Sequence, residues 1–329
     1  ARSSAKSSSP SVLPGKIRVM ADLHPLDFQI QTTASDGRHT PRECVRMAKE
    51  NGCITIAITD HDTVGGIAEA VAVGRELNVR VIPGIEISIQ EHGMHLLGLG
   101  IDPANPTLAA ALRQAAENRL AAGKQMVENF KRGGFAVDWA DVLREAGTGS
   151  VITRSHLVAA IMKRPENRAK LEGITTKHEF FQRYFTDTGP YYVRASTMTP
   201  GAAIALVHGA LGVAIWSHPT IPDFVGDCPA LEKFLHELVG YGLDGLELFG
   251  PSHTDSDFAC LEDLARRHRL LVTAGSDFHE AHLEVPPETP WPRSARTIGD
   301  YPIYGRSLDG IILALDEAMA RRSAVVSGG

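Results

Sequence analysis

Four short apolar runs in this chain each lead into a cluster of His, Asp or Glu. The runs are Ile54–Thr59, Val79–Ile82, Leu211–Ile215 and Leu270–Val272. The clusters are Thr59-Asp60-His61-Asp62, Gly84-Ile85-Glu86-Ile87-Ser88, Ser217-His218-Pro219 and Gly275-Ser276-Asp277-Phe278-His279. Brief β-branched runs of this kind predict buried strands. Stretches with helical character alternate with them: Pro41–Asn51 behind Thr40 as N-cap, Ile67–Leu77, Pro200–Gly209, Pro229–Tyr241 and Ser256–His268. A further strand is predicted at Gly245–Phe249. Such alternation predicts an α/β fold. In a β/α barrel, residues at strand ends converge on one rim.

The residue types at that rim suggest metal chemistry. Imidazole and carboxylate ligands suit Zn, Mn or Fe. Ions a few ångströms apart can activate one water and hold the attacking and leaving oxygens of a phosphoryl transfer. Any one of the 14 histidines is by itself weak evidence. His39, His178, His208, His236 and His268 lie outside the pattern and are read as surface or hydrogen-bonded residues.

Residues 27–37, Asp-Phe-Gln-Ile-Gln-Thr-Thr-Ala-Ser-Asp-Gly, extend the series. They resemble the opening strand of the PHP (polymerase and histidinol phosphatase) family of metal-dependent phosphoesterases, which usually reads Asp-Leu-His-x-His-(Ser/Thr)-x-x-Ser-Asp-Gly. His95, in Gly-Met-His-Leu-Leu-Gly, fits another family position. The resemblance implies a distorted (β/α)7-type PHP barrel. It implies metal ligation by Asp36, His61, Glu86, His95, His218, Asp277 and His279, divided among up to three ions. Asp277, His218 and His279 are the implied catalytic residues, and Asp60 is read as orienting His61.

The chain departs from the family pattern at one place. Gln29 and Gln31 stand where two histidines would serve one ion together with Glu86 and Asp277. A neutral amide is a poor ligand for Zn or Mn beside imidazole. Three readings follow: a centre with one or two ions rather than three, glutamines that bind metal weakly or position water and substrate, or a catalytically dead site. Upstream, Asp22-Leu23-His24 mimics the family start, but its spacing to Asp36 is wrong and it is read as a decoy.

Near Asp102-Pro103-Ala104-Asn105-Pro106 the alternation stops. Residues 107–132, Val137–Ala146, Arg154–Lys163 and Lys177–Tyr184 all read as helices, so residues 103–198 are expected to form a helical cap inserted into the barrel of residues 17–102 and 199–329. The PHP resemblance supports this through Arg154-Ser155-His156-Leu157-Val158 and Gly189-Pro190-Tyr191-Tyr192-Val193-Arg194. Arginine clamps phosphate bidentately, so Arg154 and Arg194 are candidate substrate contacts. His156, Gln29 and Gln31 are further candidates, and Tyr191 and Tyr192 either stack on a base or pack the cap.

Residues 1–16 are Ser-rich and read as a disordered tail, and Glu284–Pro292 as an ordered surface loop. Net charge of −6 argues against broad capture of nucleic acid. No apolar stretch reaches the length of a membrane span. The four cysteines, Cys44, Cys53, Cys228 and Cys260, show no Cys-x-x-Cys spacing, which suits a reducing, cytoplasmic setting.

The sequence thus predicts a metal-dependent hydrolase acting on a small phosphate ester, such as a nucleotide or an oligonucleotide end, by metal-activated water. Two alternatives stand beside it. One is a PHP-fold hydrolase of carboxylic esters, lactones or amides. The other is a binding module without turnover.

Overall fold

The computed structural model describes residues 23–147, 151–185, 189–220, 223–281 and 295–327. The tail and the Pro-rich segment Glu284–Pro292 lie outside the described residues.

Seven strands form one sheet in chain order: β1 (Leu26–Asp27), β2 (Thr55–Ile58), β3 (Arg80–Ser88), β4 (His95–Leu99), β5 (Val213–Ser217), β6 (Gly245–Phe249) and β7 (Leu271–Ala274). Neighbours pair in parallel except around β4, which runs antiparallel to both β3 and β5. The strict β/α repeat expected over residues 17–101 therefore breaks at the β3–β4 hairpin. The turn Glu91-His92-Gly93 reverses the chain with left-handed backbone at His92 and Gly93. The opening strand is also shorter than its sequence suggests. After Asp27 the chain leaves regular pairing with β2 and reaches across to the far edge. Phe28 N–H donates to Ala274 O (2.9 Å) and Gln31 N–H to Phe278 O (2.9 Å), which closes the barrel.

The helices are α1 (Pro41–Glu50), α2 (Ile67–Leu77), α3 (Pro106–Arg132), α4 (Trp139–Ala146), α5 (Arg154–Met162), α6 (Lys177–Tyr184), α7 (Pro200–Gly209), α8 (Cys228–Gly240), α9 (Asp255–His268) and α10 (Ile311–Ser327). Local chemistry fixes their starts. Thr40 and Glu43 form a capping box with Pro41 behind the cap, and Thr254 and Asp257 do the same for α9.

Three apolar clusters hold the described residues together. The largest lies within and around the barrel and includes Leu97, Ile215, Trp216 and Leu246. A second packs α1 and α2 against β2 through Val45, Ile56 and Val73. The third belongs to the inserted helices, where Phe130, Phe135, Phe180 and Phe185 meet edge to face or tilted. α3 joins two of these cores. Leu108 packs with the barrel cluster, whereas Ala122, Met126 and Phe130 pack with the cap.

Cys228 and Cys260 form a disulfide between α8 and α9, with Cα atoms 6.0 Å apart. The pair does not suit the reducing setting expected from cysteine spacing; residues 32 apart in sequence become neighbours only through helix packing. Cys44 and Cys53 are free and buried. No helix among the described residues is long and apolar enough to cross a membrane.

Candidate active site

The strand ends and the cap enclose a cleft of about 740 Å³. Its barrel side carries Asp36, His61, His95, His218, Asp277 and His279. Its cap side is largely apolar, with Met126, Trp139, Leu157, Phe181 and Phe185 around Arg154. The segments predicted from sequence thus meet in one place, with Glu86 at the base.

Glu86 is fully buried and organises the floor. His95 Nδ1 lies 2.9 Å from its Oε1. His218 Nε2 lies 3.2 Å from the same oxygen, and the two imidazole nitrogens are 3.1 Å apart. Burial opposes the charge on Glu86, but His61, His95 and His218 outweigh it and hold the carboxyl well below the usual range. The two imidazoles respond oppositely. Burial pushes His95 down to about 4 against the pull of Glu86. His218 is raised to about 9, because its hydrogen bond to Glu86 and the carboxylate charge outweigh burial. Without metal, Glu86 therefore favours a proton on His218, which must leave before His218 can ligate an ion, whereas His95 stays neutral.

On the other side of His61, Asp36 Oδ1 lies 3.9 Å from His61 Nε2 and 3.6 Å from His279 Nε2. His279 Nδ1 is occupied at 2.8 Å by the backbone carbonyl of Asp277, which leaves Nε2 facing Asp36. Asp36 Oδ1 is buried and accepts no hydrogen bond. Burial opposes its charge, yet His279 and His61 hold the carboxyl below the usual range. Two groups of three side chains, Asp36–His61–His279 and His61–Glu86–His95, present ligand atoms within 4.8 Å of one another. They share His61, and a neutral imidazole has one lone pair. His61 can therefore complete the first group while His218 joins Glu86 and His95 in the second.

Gln29 and Gln31 are fully buried beneath Glu86. Gln29 Nε2 donates to Glu86 Oε1 (3.2 Å) and Ser217 Oγ (2.7 Å). Gln31 Nε2 donates to Glu86 Oε2 (2.5 Å) and Thr59 O (3.4 Å). Each amide nitrogen thus commits both of its N–H groups. Turning either amide to present oxygen toward Glu86 would set two acceptors face to face. Both amide nitrogens are thereby engaged on the Glu86 side, and the two amide oxygens, Gln29 Oε1 and Gln31 Oε1, are buried without a hydrogen-bond partner.

Backbone geometry marks the rim. Asp62, His218 and Asp277 follow β2, β5 and β7 with φ of 50°, 32° and 51°. Left-handed backbone at non-glycine residues costs on the order of 1 kcal/mol each and collects at functional sites. Gly37, which closes the Ser-Asp-Gly turn, is required sterically. A Cβ there would sit 2.3 Å from Gln31 O.

The candidates from the cap are placed unevenly. Arg154 lines the cleft with its guanidinium 5.5 Å from the ring centroids of both Phe181 and Tyr192. Arg194 also lines it and donates to Gln90 O. His156 does not line the cleft, although its charge acts on Asp36. It is buried, and its Nδ1 accepts from Thr153 N–H at 3.1 Å as part of the cap of α5. Tyr191 stacks on Phe130 at 4.5 Å inside the cap core. Asp60 does not orient His61. It accepts from Thr32 N–H (2.7 Å), Thr32 Oγ1 (2.8 Å) and Ser35 Oγ (2.6 Å), and so shapes the turn that carries Asp36.

Two residues of the site, Arg119 on the cleft wall and Glu247, are not singled out by the sequence. Glu247 is buried in β6, accepts from His218 N–H at 2.9 Å, and leaves Oε1 without a partner. Desolvation raises its pKa well above the usual value. The available signal was an acidic residue inside the apolar run Gly-Leu-Glu-Leu-Phe.

Residues 27–198 match the PHP domain family. The chain belongs to this family. The PHP chain is 30% identical over 256 residues to the 3',5'-nucleoside bisphosphate phosphatase of Chromobacterium violaceum, covering 77% of this chain and 87% of that protein. It is 32% identical over 258 residues to the 5'-3' exoribonuclease Rnm of Salmonella typhimurium, covering 77% and 85%. Among solved structures, an amidohydrolase from Chromobacterium violaceum with bound sulfate and no metal superposes with a TM-score of 0.73 at 29% identity, covering 90% of this chain and 97% of that one. The PHP assignment agrees with the seven-stranded, barrel-shaped sheet and its accompanying helices.

Proposed function

We propose that this PHP protein hydrolyses a small phosphate ester, a nucleotide or the end of an oligonucleotide, at a centre of two divalent ions. Asp36, His61 and His279 would hold one ion, and Glu86, His95 and His218 the other. Mn, Zn and Fe all suit these ligands. Such ions supply Lewis acidity and a water acidic enough to act near neutral pH. The observation that carries the proposal is Asp36 Oδ1, a buried acceptor without a partner that faces two imidazole nitrogens on the cleft wall.

The remaining side chains have separate tasks. Asp277 lines the cleft and lacks the two histidines that would share an ion with it, so it is assigned to proton transfer. Arg154, held between Phe181 and Tyr192, neutralises phosphate charge with help from Arg194. The apolar cap half suits a base or sugar, while the polar barrel half suits the phosphate. Gln29 and Gln31 act as fixed neutral donors to Glu86. The small-substrate reading agrees with the net charge of −6. The Cys228–Cys260 disulfide favours an oxidising setting over the cytoplasmic one expected from the cysteine spacing.

The test is release of inorganic phosphate from a nucleoside 3',5'-bisphosphate and of nucleoside 5'-monophosphate from a 5'-phosphorylated RNA trimer, with 4-nitrophenyl acetate in parallel. Metal-dependent release from at least one phosphate ester is expected. Turnover of the acetate alone would instead support the carboxylic-ester alternative.

A further inference from the structure

We propose that Arg119 is a positioning residue that sets the metal centre from the cap, acting through Asp62. The inference rests on the two-ion reading and concerns how His61 is held. Arg119 lies on α3 between the part that packs with the barrel and the part that packs with the cap. Its Nε donates to Asp62 Oδ2 at 2.6 Å and its Nη2 to Ser88 Oγ at 2.5 Å. The Arg119 side chain is 13% exposed and that of Asp62 5%.

Asp62 is the hinge of this contact. It directly follows His61 and has left-handed backbone, φ 50°. Its N–H donates to Glu86 O at 2.9 Å, and its Oδ1 accepts from Ser88 N–H at 2.9 Å. Asp62 thus fastens the segment bearing His61 to the strand bearing Glu86. Arg119 fastens Asp62 in turn and also grips the end of that strand. A planar fork can reach Asp62 and Ser88 together, and a lysine ammonium cannot reproduce it. Without Arg119 a buried carboxylate loses its counter-charge beside Glu86, and the strained backbone at Asp62 loses its restraint.

Arg119 also stands in the wall between the main cleft and a second cavity of about 140 Å³ that includes Leu112, Ala115 and Met198. That cavity adjoins the guanidinium and gives a truncation variant room to admit free guanidinium.

The test is titration calorimetry of Mn²⁺ into chelator-stripped wild type, Arg119→Ala, Arg119→Lys, Asp62→Asn and the Arg119→Ala/Asp62→Asn double variant. Circular dichroism checks folding. Arg119→Ala is expected to weaken Mn²⁺ binding by about tenfold or more, with partial recovery in millimolar guanidinium and incomplete rescue by lysine. The double variant should be no weaker than the worse single one, since both act through one contact. Folded Arg119→Ala with Mn²⁺ affinity within twofold of wild type would overturn the proposal. If that variant does not fold, Arg119→Lys decides by the same criterion. Wild type that binds no Mn²⁺ overturns the two-ion reading and this inference with it, whereas metal binding unaffected by the variants overturns this inference alone.

Discussion

The side-chain amide of Gln31 donates to Glu86 across 2.5 Å, and its second N–H reaches the carbonyl of Thr59. Gln29 approaches the other carboxylate oxygen in the same way. Two neutral donors therefore occupy the side of Glu86 where the family would place an ion. Unlike a cation, they add no net charge to offset a phosphate.

Restoring both histidines should reopen this position. The Gln29→His/Gln31→His variant is expected to bind about one more ion per chain than wild type, measured by elemental analysis after removal of loose metal. Either single change should fail, because the remaining amide still donates to Glu86. An unchanged count in the folded double variant would show that the position is closed for another reason.

The His218–Glu86 pair predicts a pH dependence for the metal-free protein. His218 is raised from its ordinary 6.5 to about 9, so its stabilising contribution is complete below 6.5 and lost as pH rises through about 9. Glu86 is depressed, so its contribution is present above the ordinary carboxylate value and lost as pH falls. The thermal midpoint of chelator-treated protein should therefore decline between pH 6.5 and 9. Glu86→Gln should flatten that decline. A midpoint constant across the window in wild type would contradict the pairing.

Arg154 is held by two aromatic faces and aimed into the cleft. Arg154→Ala should raise KM for a phosphate substrate by roughly 10- to 150-fold, from the loss of a charge-assisted contact of roughly 1.5–3 kcal/mol. Metal content should stay unchanged. Loss of metal with unaltered KM would place Arg154 in the ligand support instead.

The disulfide closes a segment spanning 32 positions between α8 and α9. Loop-closure entropy gives it a stabilising effect of about 3–4 kcal/mol. Urea unfolding of Cys228→Ser/Cys260→Ser should show a lower midpoint with unchanged slope. An equal midpoint would mean that helix packing alone carries this contact.

Much of the candidate site is legible because its His, Asp and Glu residues cluster at or near strand ends. Thr-Asp-His-Asp, Gly-Ile-Glu and Ser-Asp-Phe-His each sit where an apolar run stops, and helix starts such as Thr40-Pro41 announce themselves through capping. The reversal of β4 was not legible, since a short apolar run carries no direction. Nor was the disulfide, which depends on two helices meeting. Asp60 was misassigned because sequence adjacency to His61 does not reveal where a side chain turns. Glu247 was passed over because its strand reads as uniformly apolar apart from that one carboxylate.

The proposed two-ion centre is tested by the number of Mn, Fe or Zn equivalents per chain, by elemental analysis of freshly purified, unchelated protein and again after reconstitution. Two equivalents are expected at saturation. Three would contradict the closure by Gln29 and Gln31, and none after reconstitution would contradict the metal centre itself.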